Sequence, residues 1–304
     1  MLPLVLSRLL SAVVVLFVVA SLGFLALRLA KGGPFAAEKS LPPAVRANVE
    51  RSLGLGEPLA AQYGRYIAGL ARGDLGWSMK RPGVRVSEII AENFPQSLQL
   101  GLLALAFAVG FGVVLGVTAA ARGGATDRAA MTAALLGVSV PSFVLGPILI
   151  QVFSLRLGWL PPARWDGVLS MILPAMTLGM VFVGTIARLT RAGMLDAIRQ
   201  EFVRTARAKG LTERQVVWKH ALRLGIVPVV TYLAPATAYL VTGSIVIETI
   251  FQIPGLGFYV VGSVQDHDYT TLAGVMVFYC ALVLFLNLVV DLVYGFLDPR
   301  VREP

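Results

Sequence analysis

The chain has 304 residues, of which 57% are hydrophobic and only 14% are charged, and its mean hydropathy is +0.77. Soluble proteins carry about 25% charged residues, so this composition excludes a soluble globular domain. The formal net charge of +9 comes from arginines that flank apolar segments, which favours contact with anionic lipid and excludes nucleic acid as a partner. The only cysteine, Cys280, lies in an apolar run, so no disulfide framework is expected.

Six uncharged windows are long enough to cross a bilayer as helices, which takes about 20 apolar residues. They are Leu9–Leu27, Asn93–Ala121, Ala129–Leu155, Gly167–Ala187, Leu224–Ile247 and Tyr269–Val290. The first is too long for a signal-peptide core and lacks a clear A-x-A site, so it is predicted to be a retained span. The window Thr249–Gln265 contains Pro254, Gly255 and Gly257 and is predicted to be an interfacial loop. The fold class is therefore all-α, a polytopic membrane protein with six transmembrane helices.

Basic residues predict the orientation of these spans. An even number of spans places both termini on one side, and with the termini inside, the inner connections carry 14 Lys or Arg. The outer connections carry 2 once the 65-residue loop Arg28–Glu92 is left aside, since loops beyond about 60 residues largely escape the positive-inside rule. Both termini are therefore predicted to be cytoplasmic.

The long outer loop has helical content of its own. Apolar spacing predicts a helix over Ala61–Ala71. In the following segment, Ser87 is the predicted N-cap of a short helix that ends at Asn93–Pro95. One interpretation of this segment is an amphipathic helix lying on the membrane.

The block Arg188–Arg223 holds nine Lys or Arg against three acids, and so carries most of the net charge. Leu195, Ile198, Phe202 and Ala206 share one face of a predicted helix. Gly210 is placed to end that helix in the left-handed conformation, and Thr212 with Gln215 forms the T-x-x-Q capping box of a second. A purely topogenic basic loop remains an alternative.

Residues able to carry covalent chemistry are scarce. No G-x-x-x-x-G-K-[ST] phosphate loop is present, and the two histidines, His220 and His267, are predicted on opposite sides of the membrane. An intramembrane hydrolase using Ser139 or Ser244 is the enzymatic alternative, but no catalytic, cofactor or metal residues are predicted. Ion-coupled carriers usually show buried carboxylates and internal repeats, which are not evident here, so the energy source is expected outside this chain.

Glu248 is an ionisable residue at the edge of an apolar segment, six residues before the break at Pro254 and Gly255. Intramembrane carboxylates are functional candidates, so these three residues are predicted to shape the outer gate of a pathway. The alternative is that Glu248 pairs with a neighbouring helix or subunit. Asp291 is predicted to make a helix-end contact near the cytoplasm.

Several segments together resemble a known family. FVRTARAKGLTERQVVWKHALR is similar to the EAA loop of bacterial ABC importer permeases of the dipeptide/oligopeptide/nickel group, with Arg204, Thr205 and Ala206 at the E-A-A positions and Gly210 at the motif glycine. Glu and Ala are absent from the first two positions, and Pro228 lies 18 residues beyond Gly210, further than in the general pattern. The outer G-D-L-G-x-S segment, ETIF-x-IPGLG and the C-terminal N-L-x-V-D-L-x-Y-x-x-L-D-P-R resemble segments of the same group.

The resemblance implies a type I ABC importer permease subunit in the bacterial inner membrane that passes peptides or a related solute and performs no catalysis itself. Its implied partners are a homologous second permease, two cytoplasmic ATPase subunits and an extracytoplasmic binding protein. The implied organisation is a first helix (1–30), an extracytoplasmic loop (31–94), a five-helix core (95–295) with a coupling loop (188–223), and a cytoplasmic tail (296–304). The residues implied to couple to the ATPase are Glu201, Arg204, Thr205, Ala206, Arg207, Lys209, Gly210 and Leu211. A channel or ion-coupled carrier acting alone, and a membrane anchor for a soluble complex, remain alternatives.

Overall fold

A computed structural model of the chain describes residues 2–29, 56–81 and 83–297. The predicted extracytoplasmic residues 31–55 and the tail residues 298–304 lie outside the described residues. Within the described ranges the regular elements are helical, and an isolated bridge pairs Trp77 with Arg85. The all-α class is therefore confirmed. The chain divides into two compact units, Met1–Gln96 with Gly255–Pro304, and Ser97–Pro254.

The first unit contains α1 (Leu2–Leu29), α2 (Leu59–Ala71), the start of α3 (Val86–Arg122), α11 (Leu256–Gln265) and α12 (Tyr269–Leu297). Its small core contains Val86, Leu256 and Val275, all fully buried. Helix α1 packs along α12, and near one end Arg8 Nε lies 2.9 Å from Asp291 Oδ2. Asp291 thus makes a helix–helix ion pair, in keeping with the contact predicted for it.

The second unit contains the remainder of α3 and seven further helices. They are α4 (Gly124–Ser139), α5 (Ser142–Leu149, continued by the π-helix Ile150–Arg156), α6 (Val168–Ile198), α7 (Glu201–Ala208), α8 (Glu213–Gly225, π-helical over Val216–Ala221), α9 (Val227–Val241) and α10 (Ile245–Ile250). Helix α6 lies at the centre of this unit, with Leu173, Ile186 and Met194 fully buried. Glycines bring backbones close to it: a Cβ on Gly116 of α3 would lie 2.5 Å from Ala187 O. The core is therefore assembled on α6.

Four described helices have the length and hydropathy to span a membrane, namely Val5–Ala26, Val86–Arg122, Val168–Ile198 and Tyr269–Leu292. The other two predicted windows are bent pairs of helices. Helices α4 and α5 meet at 105°, and α8 and α9 at 56°. The predicted count of six is reached only if each bent pair forms one span.

Prolines explain both bends. Val140 is extended, with φ −85° and ψ 119°, because Pro141 disfavours a helical conformation in the residue before it. Pro228 lies in the first turn of α9 and has no N–H to continue the hydrogen-bond ladder of α8. The windows Ala129–Leu155 and Leu224–Ile247 are therefore not single straight helices, and the latter is interrupted again at Gly243.

Two other sequence predictions are wrong. The helix expected to end at Asn93–Pro95 continues from Val86 to Arg122 with Pro95 inside it, as membrane helices tolerate when their neighbours support the backbone. Ser87 is not its N-cap, because Arg85 precedes the helix and donates its N–H to Glu88 Oε2 at 3.2 Å. The window predicted to be an interfacial loop contains α11, which begins immediately after Gly255.

Candidate functional site

The structure divides the basic block Arg188–Arg223 more finely than the sequence predicts. Helix α6 continues through its first eleven residues to Ile198 and then stops. Gln200 is extended, with ψ 154°, and α7 starts at Glu201. The predicted single helix carrying Leu195, Ile198, Phe202 and Ala206 is therefore wrong, because the break at Arg199–Gln200 separates these residues into two helices.

Helix α7 ends in a tight left-handed turn. Gly210 has φ +77°, its N–H donates to Arg207 O at 2.9 Å, and the next N–H, of Leu211, donates to Ala206 O at 3.4 Å. This pair of bonds is the Schellman pattern, which satisfies carbonyls at a helix C-terminus. The prediction of a left-handed glycine at the end of this helix is confirmed.

The next helix starts with the predicted capping box. Thr212 Oγ1 accepts from Gln215 N at 3.4 Å, and Gln215 Oε1 accepts from Thr212 N at 3.1 Å. Arg207 on α7 also bridges the turn, with Nε 2.8 Å from Glu213 Oε1 and Nη2 3.3 Å from Oε2. The angle between α7 and α8 is thus held by backbone bonds, by a reciprocal cap and by a bidentate ion pair.

One face of α7 is buried in the chain and the other is exposed. Val203 is fully buried and Ala206 is 5% exposed, both in the core of the second unit. Six of the eight predicted coupling residues are exposed and Leu211 is half-buried; the exposed ones are Glu201, Arg204, Thr205, Arg207, Lys209 and Gly210. Ala206 therefore packs inside the second unit and supports the turn from there, while its role in coupling stays a prediction.

Phe202 was not predicted as a site residue, yet it is 39% exposed on the free side of α7. Phe202, Thr205 and Lys209 follow the i, i+3, i+7 spacing of one helical face. This spacing is visible in the sequence, but a single long helix places Phe202 on the same face as the buried residues.

Close backbone packing anchors this turn to α6. A Cβ on Gly193 of α6 would overlap Gly225 O at the end of α8, and a Cβ on Gly225 would lie 2.8 Å from Met194 Sδ. Met194 itself is fully buried. Neither backbone has room for a side chain at this crossing, so α6 and α8 are in direct backbone contact.

A second connection meets the basic block. Arg191 of α6 forms a bidentate ion pair with Asp127 of α4, with both N–O distances 2.5 Å. Asp127 belongs to the short connection Arg122–Arg128 between the second and third apolar windows, and the predicted orientation places this connection and the basic block on the same, inner side. The contact brings these two connections together, and no pattern in the sequence indicated it.

The three predicted gate residues occupy different environments. Glu248 on α10 is fully buried, and its Oε1 accepts a hydrogen bond from Ser97 Oγ on α3 at 2.9 Å. Gly243 has φ +76°, and a Cβ there would overlap this carboxylate and lie 3.2 Å from Ser97 Cβ. Pro254 is exposed, and Gly255 is buried and precedes α11. The contact with a neighbouring helix considered for Glu248 is therefore present, while a role in gating stays a prediction.

Comparisons with known proteins agree with this architecture. The family described as binding-protein-dependent transport system inner membrane component matches residues 112–303, and its N-terminal counterpart matches residues 1–101. The solved inward-facing structure of the MetNI methionine ABC transporter matches with a TM-score of 0.55 at 18% identity, covering 69% of this chain and 96% of that one. At this identity the match shows the fold alone.

Curated relatives match over nearly their full length. The oligopeptide transport system permease protein OppB of Haemophilus influenzae is 41% identical over 305 residues, covering 99% of this chain and 100% of that protein. The dipeptide transport system permease protein DppB of Bacillus subtilis is 41% identical over 288 residues, with 94% of each chain covered. The glutathione transport system permease protein GsiC of Salmonella paratyphi A is 41% identical over 307 residues, with 99% of each covered.

The apolar helices and the structured basic turn define a multi-pass membrane subunit of the type I ABC importer fold. The chain belongs to the family of binding-protein-dependent transport system inner membrane components, and within it to the ABC importer permeases.

Proposed function

We propose that this chain forms part of the pathway by which an ATP-driven importer moves dipeptides or oligopeptides, delivered by an external binding protein, across the bacterial inner membrane. The relatives carry names for oligopeptide, dipeptide and glutathione transport, and all three solutes contain peptide bonds. The complete transporter comprises a homologous second permease and two cytoplasmic ATPase subunits, where ATP is hydrolysed.

The turn between α7 and α8 is the proposed contact with an ATPase subunit. The observation that carries this assignment is a rigid, outward-facing turn, closed at Gly210 and held by the Thr212 cap. Phe202 supplies exposed apolar surface there, and Arg204 and Lys209 supply positive charge. Aromatic and arginine side chains are enriched at interface centres, so this composition suits a protein partner with acidic groups.

Coupling follows from the rigidity of the turn. ATP binding closes the ATPase dimer, and a docked α7 moves with it. Because α8 contacts α6 backbone to backbone at Gly193 and Gly225, the displacement passes to the central helix of the second unit. Close-packed helices shift between discrete arrangements, which is the basis of a two-state transport cycle.

Two ion pairs support the proposed orientation. Arg8 pairs with Asp291, so the cytoplasmic ends predicted for the first and last helices lie together. Arg191 pairs with Asp127, which joins two connections predicted to be cytoplasmic. On the outer side, Glu248, Pro254 and Gly255 are proposed to shape the entry to the pathway.

Transport by the whole complex tests this proposal. The complex is isolated from native membranes through a tag on this chain and reconstituted in vesicles with its binding protein, and uptake of a labelled dipeptide and a labelled oligopeptide is followed. ATP-dependent uptake is expected for the wild type. Thr205→Trp, which adds bulk to the exposed face of α7, is expected to lower uptake about tenfold or more, a loss of roughly 1.4 kcal/mol or more in coupling.

Ala125→Trp is the matched control, because it adds a large side chain at an exposed position of the other short connection. Uptake near the wild-type level is expected for it. Equal uptake by Thr205→Trp and Ala125→Trp would contradict the coupling assignment. Uptake driven by an ion gradient in vesicles that contain this chain alone would instead establish the carrier alternative.

A further inference from the structure

The first unit contains a cavity of about 270 Å³, away from the proposed coupling turn and the predicted gate residues. It lies between the C-terminal part of α1, α2, the segment 73–79 and the start of α12. The cavity is lined by four aromatic side chains, one basic side chain and one acidic side chain, which are Phe24, Tyr66, Trp77, Tyr269, Arg65 and Asp74. The volume suits a small polar group better than a drug-sized ligand.

The cavity lies at the level of a membrane surface. Phe24 is near the end of the span Val5–Ala26, and Tyr269 is the first residue of the span Tyr269–Leu292. The ion pair between Arg8 and Asp291 marks the opposite ends of the same two helices. Tyrosine and tryptophan at this level are typical of the belt where lipid headgroups meet the hydrocarbon region.

Tyr66 is a hydrogen-bond donor in the cavity wall. Its ring stacks on Phe24 with centroids 5.5 Å apart, and its buried hydroxyl has no hydrogen-bond partner among the described residues. The neighbouring Tyr63 hydroxyl, in contrast, lies 2.7 Å from Ser21 Oγ. Burial, and secondly the proximity of Tyr63, raise the pKa of Tyr66 to about 12. The phenol therefore stays protonated and can donate to an acceptor on a ligand.

Asp74 and Arg65 are both available to bind a zwitterionic ligand. Asp74 Oδ1 accepts from Gly76 N at 2.9 Å, and within the described part of the chain no basic side chain pairs with this carboxylate. Arg65 binds Glu57 through Nη2. A guanidinium has five N–H donors, so Arg65 retains donors for an anion.

We propose that this cavity binds the zwitterionic headgroup of phosphatidylethanolamine. The ammonium is held by Asp74 and by the negative faces of the aromatic rings, which attract cations. The phosphate accepts from Arg65, since arginine geometry suits phosphate oxygens, and from the Tyr66 hydroxyl. The acyl chains contact exposed apolar side chains on the two membrane-spanning helices that contribute to the cavity, α1 and α12, where Leu22 is 62% exposed, Leu25 49% and Met276 43%.

A free zwitterion such as a dipeptide presents a similar ammonium and anion, so the test has to separate the two sources. The acyl chains distinguish them: a lipid gains apolar contact along α1 and α12 that a soluble dipeptide cannot make. The lipid assignment therefore requires that a soluble zwitterion competes poorly.

The test measures lipid retained by the purified complex. The complex is equilibrated in micelles containing equal amounts of phosphatidylethanolamine and phosphatidylglycerol, and the bound lipid is counted by native mass spectrometry. The wild type is expected to prefer phosphatidylethanolamine about tenfold. Asp74→Asn keeps an acceptor for Gly76 but removes the charge, and it is expected to abolish most of this preference, because only phosphatidylethanolamine carries an ammonium. Arg65→Gln removes the guanidinium that binds the phosphate common to both lipids, and it is expected to lower the retention of both.

Glu88→Gln and Arg72→Gln are the matched controls, because both are exposed, lie near the same segment and do not line the cavity. Both should retain the wild-type preference. Equal retention of the two lipids by the wild type, an unchanged preference in Asp74→Asn, or unchanged lipid retention in Arg65→Gln would overturn the proposal. Displacement of the lipid by a soluble dipeptide added in equal amount would also overturn it and assign the cavity to free zwitterions.

Discussion

At the scale of single residues, Gly210 determines the shape of the proposed coupling turn. Its φ of +77° is in the left-handed region, and apart from the adjoining residues no described atom lies within 4 Å of the position that a Cβ would occupy. Space therefore does not demand glycine here, but backbone conformation does. A non-glycine residue in this region costs about 1–2 kcal/mol, and asparagine tolerates it better than other residues do.

Because backbone conformation and not lack of space requires glycine at position 210, two substitutions there should differ in effect. Gly210→Val should uncouple ATP hydrolysis from uptake, because a β-branched residue disfavours the left-handed turn. Gly210→Asn should retain most of the uptake. The measurement is the ratio of peptide uptake to ATP hydrolysis in vesicles at matched protein content. Equal ratios in both variants and the wild type would mean that the turn conformation does not affect coupling.

The burial of Ala206 changes the effect expected of a substitution at this position. The resemblance to the EAA loop implies that Ala206 contacts the ATPase, where a larger side chain would disturb only docking. With 5% of the residue exposed, Ala206→Trp would overfill the core of the second unit, and overpacking destabilises by about 1–3 kcal/mol or more. Thr205 is the position at which added bulk reports on docking alone, because its side chain is exposed.

At the scale of helices, the crossing of α6 and α8 is the proposed transmission point. Gly193 and Gly225 lie in backbone contact there. For Gly110 of α3, in contrast, no described atom other than the neighbouring backbone of α3 lies within 4 Å of the place that a methyl group would take. Small residues at helix crossings permit such close approach within membranes. Gly110 on α3 and Gly193 on α6 therefore have opposite tolerances to alanine.

Gly193→Ala is expected to destabilise the protein by about 1–3 kcal/mol, because its methyl group would overlap Gly225 O. Gly110→Ala is expected to be neutral or to stabilise α3 by about 0.5–1 kcal/mol, since alanine is the better helix former. The thermal midpoint of each variant in detergent, followed by size-exclusion chromatography, makes the comparison. A midpoint for Gly193→Ala equal to that of the wild type would show that α6 and α8 can move apart without loss of stability.

At the scale of the whole molecule, the prediction concerns topology. Cys280→Ser provides a background without cysteine, into which Lys209→Cys and Arg72→Cys are introduced singly at exposed positions. In intact spheroplasts an impermeant maleimide should label position 72 and not position 209, because the basic block is predicted inside and Arg28–Glu92 outside. After permeabilisation both should react. Labelling of position 209 from outside would reverse the proposed orientation.

Properties that depend on neighbouring residues in the chain were determined by the sequence alone. The apolar windows predicted a helical membrane protein, since a chain without water partners must satisfy its backbone internally. The turn at Gly210 and the Thr212 capping box were also predicted, because both are closed by hydrogen bonds between residues at most five positions apart. The helix Ala61–Ala71 lies within α2 for the same reason.

The tertiary structure alone decided which faces and distant residues meet. Glu248 and Ser97 are 151 positions apart, and Asp127 and Arg191 are 64 apart, so no local pattern could pair them. The burial of Ala206 and the exposure of Phe202 depend on how α7 lies against the second unit, which the break at Gln200 sets. The chain bends at Pro141 and Pro228, whereas α3 continues through Pro95. Which of these occurs depends on whether neighbouring helices support the interrupted backbone. Hydropathy measures only the amount of apolar surface, and packing determines what that surface contacts.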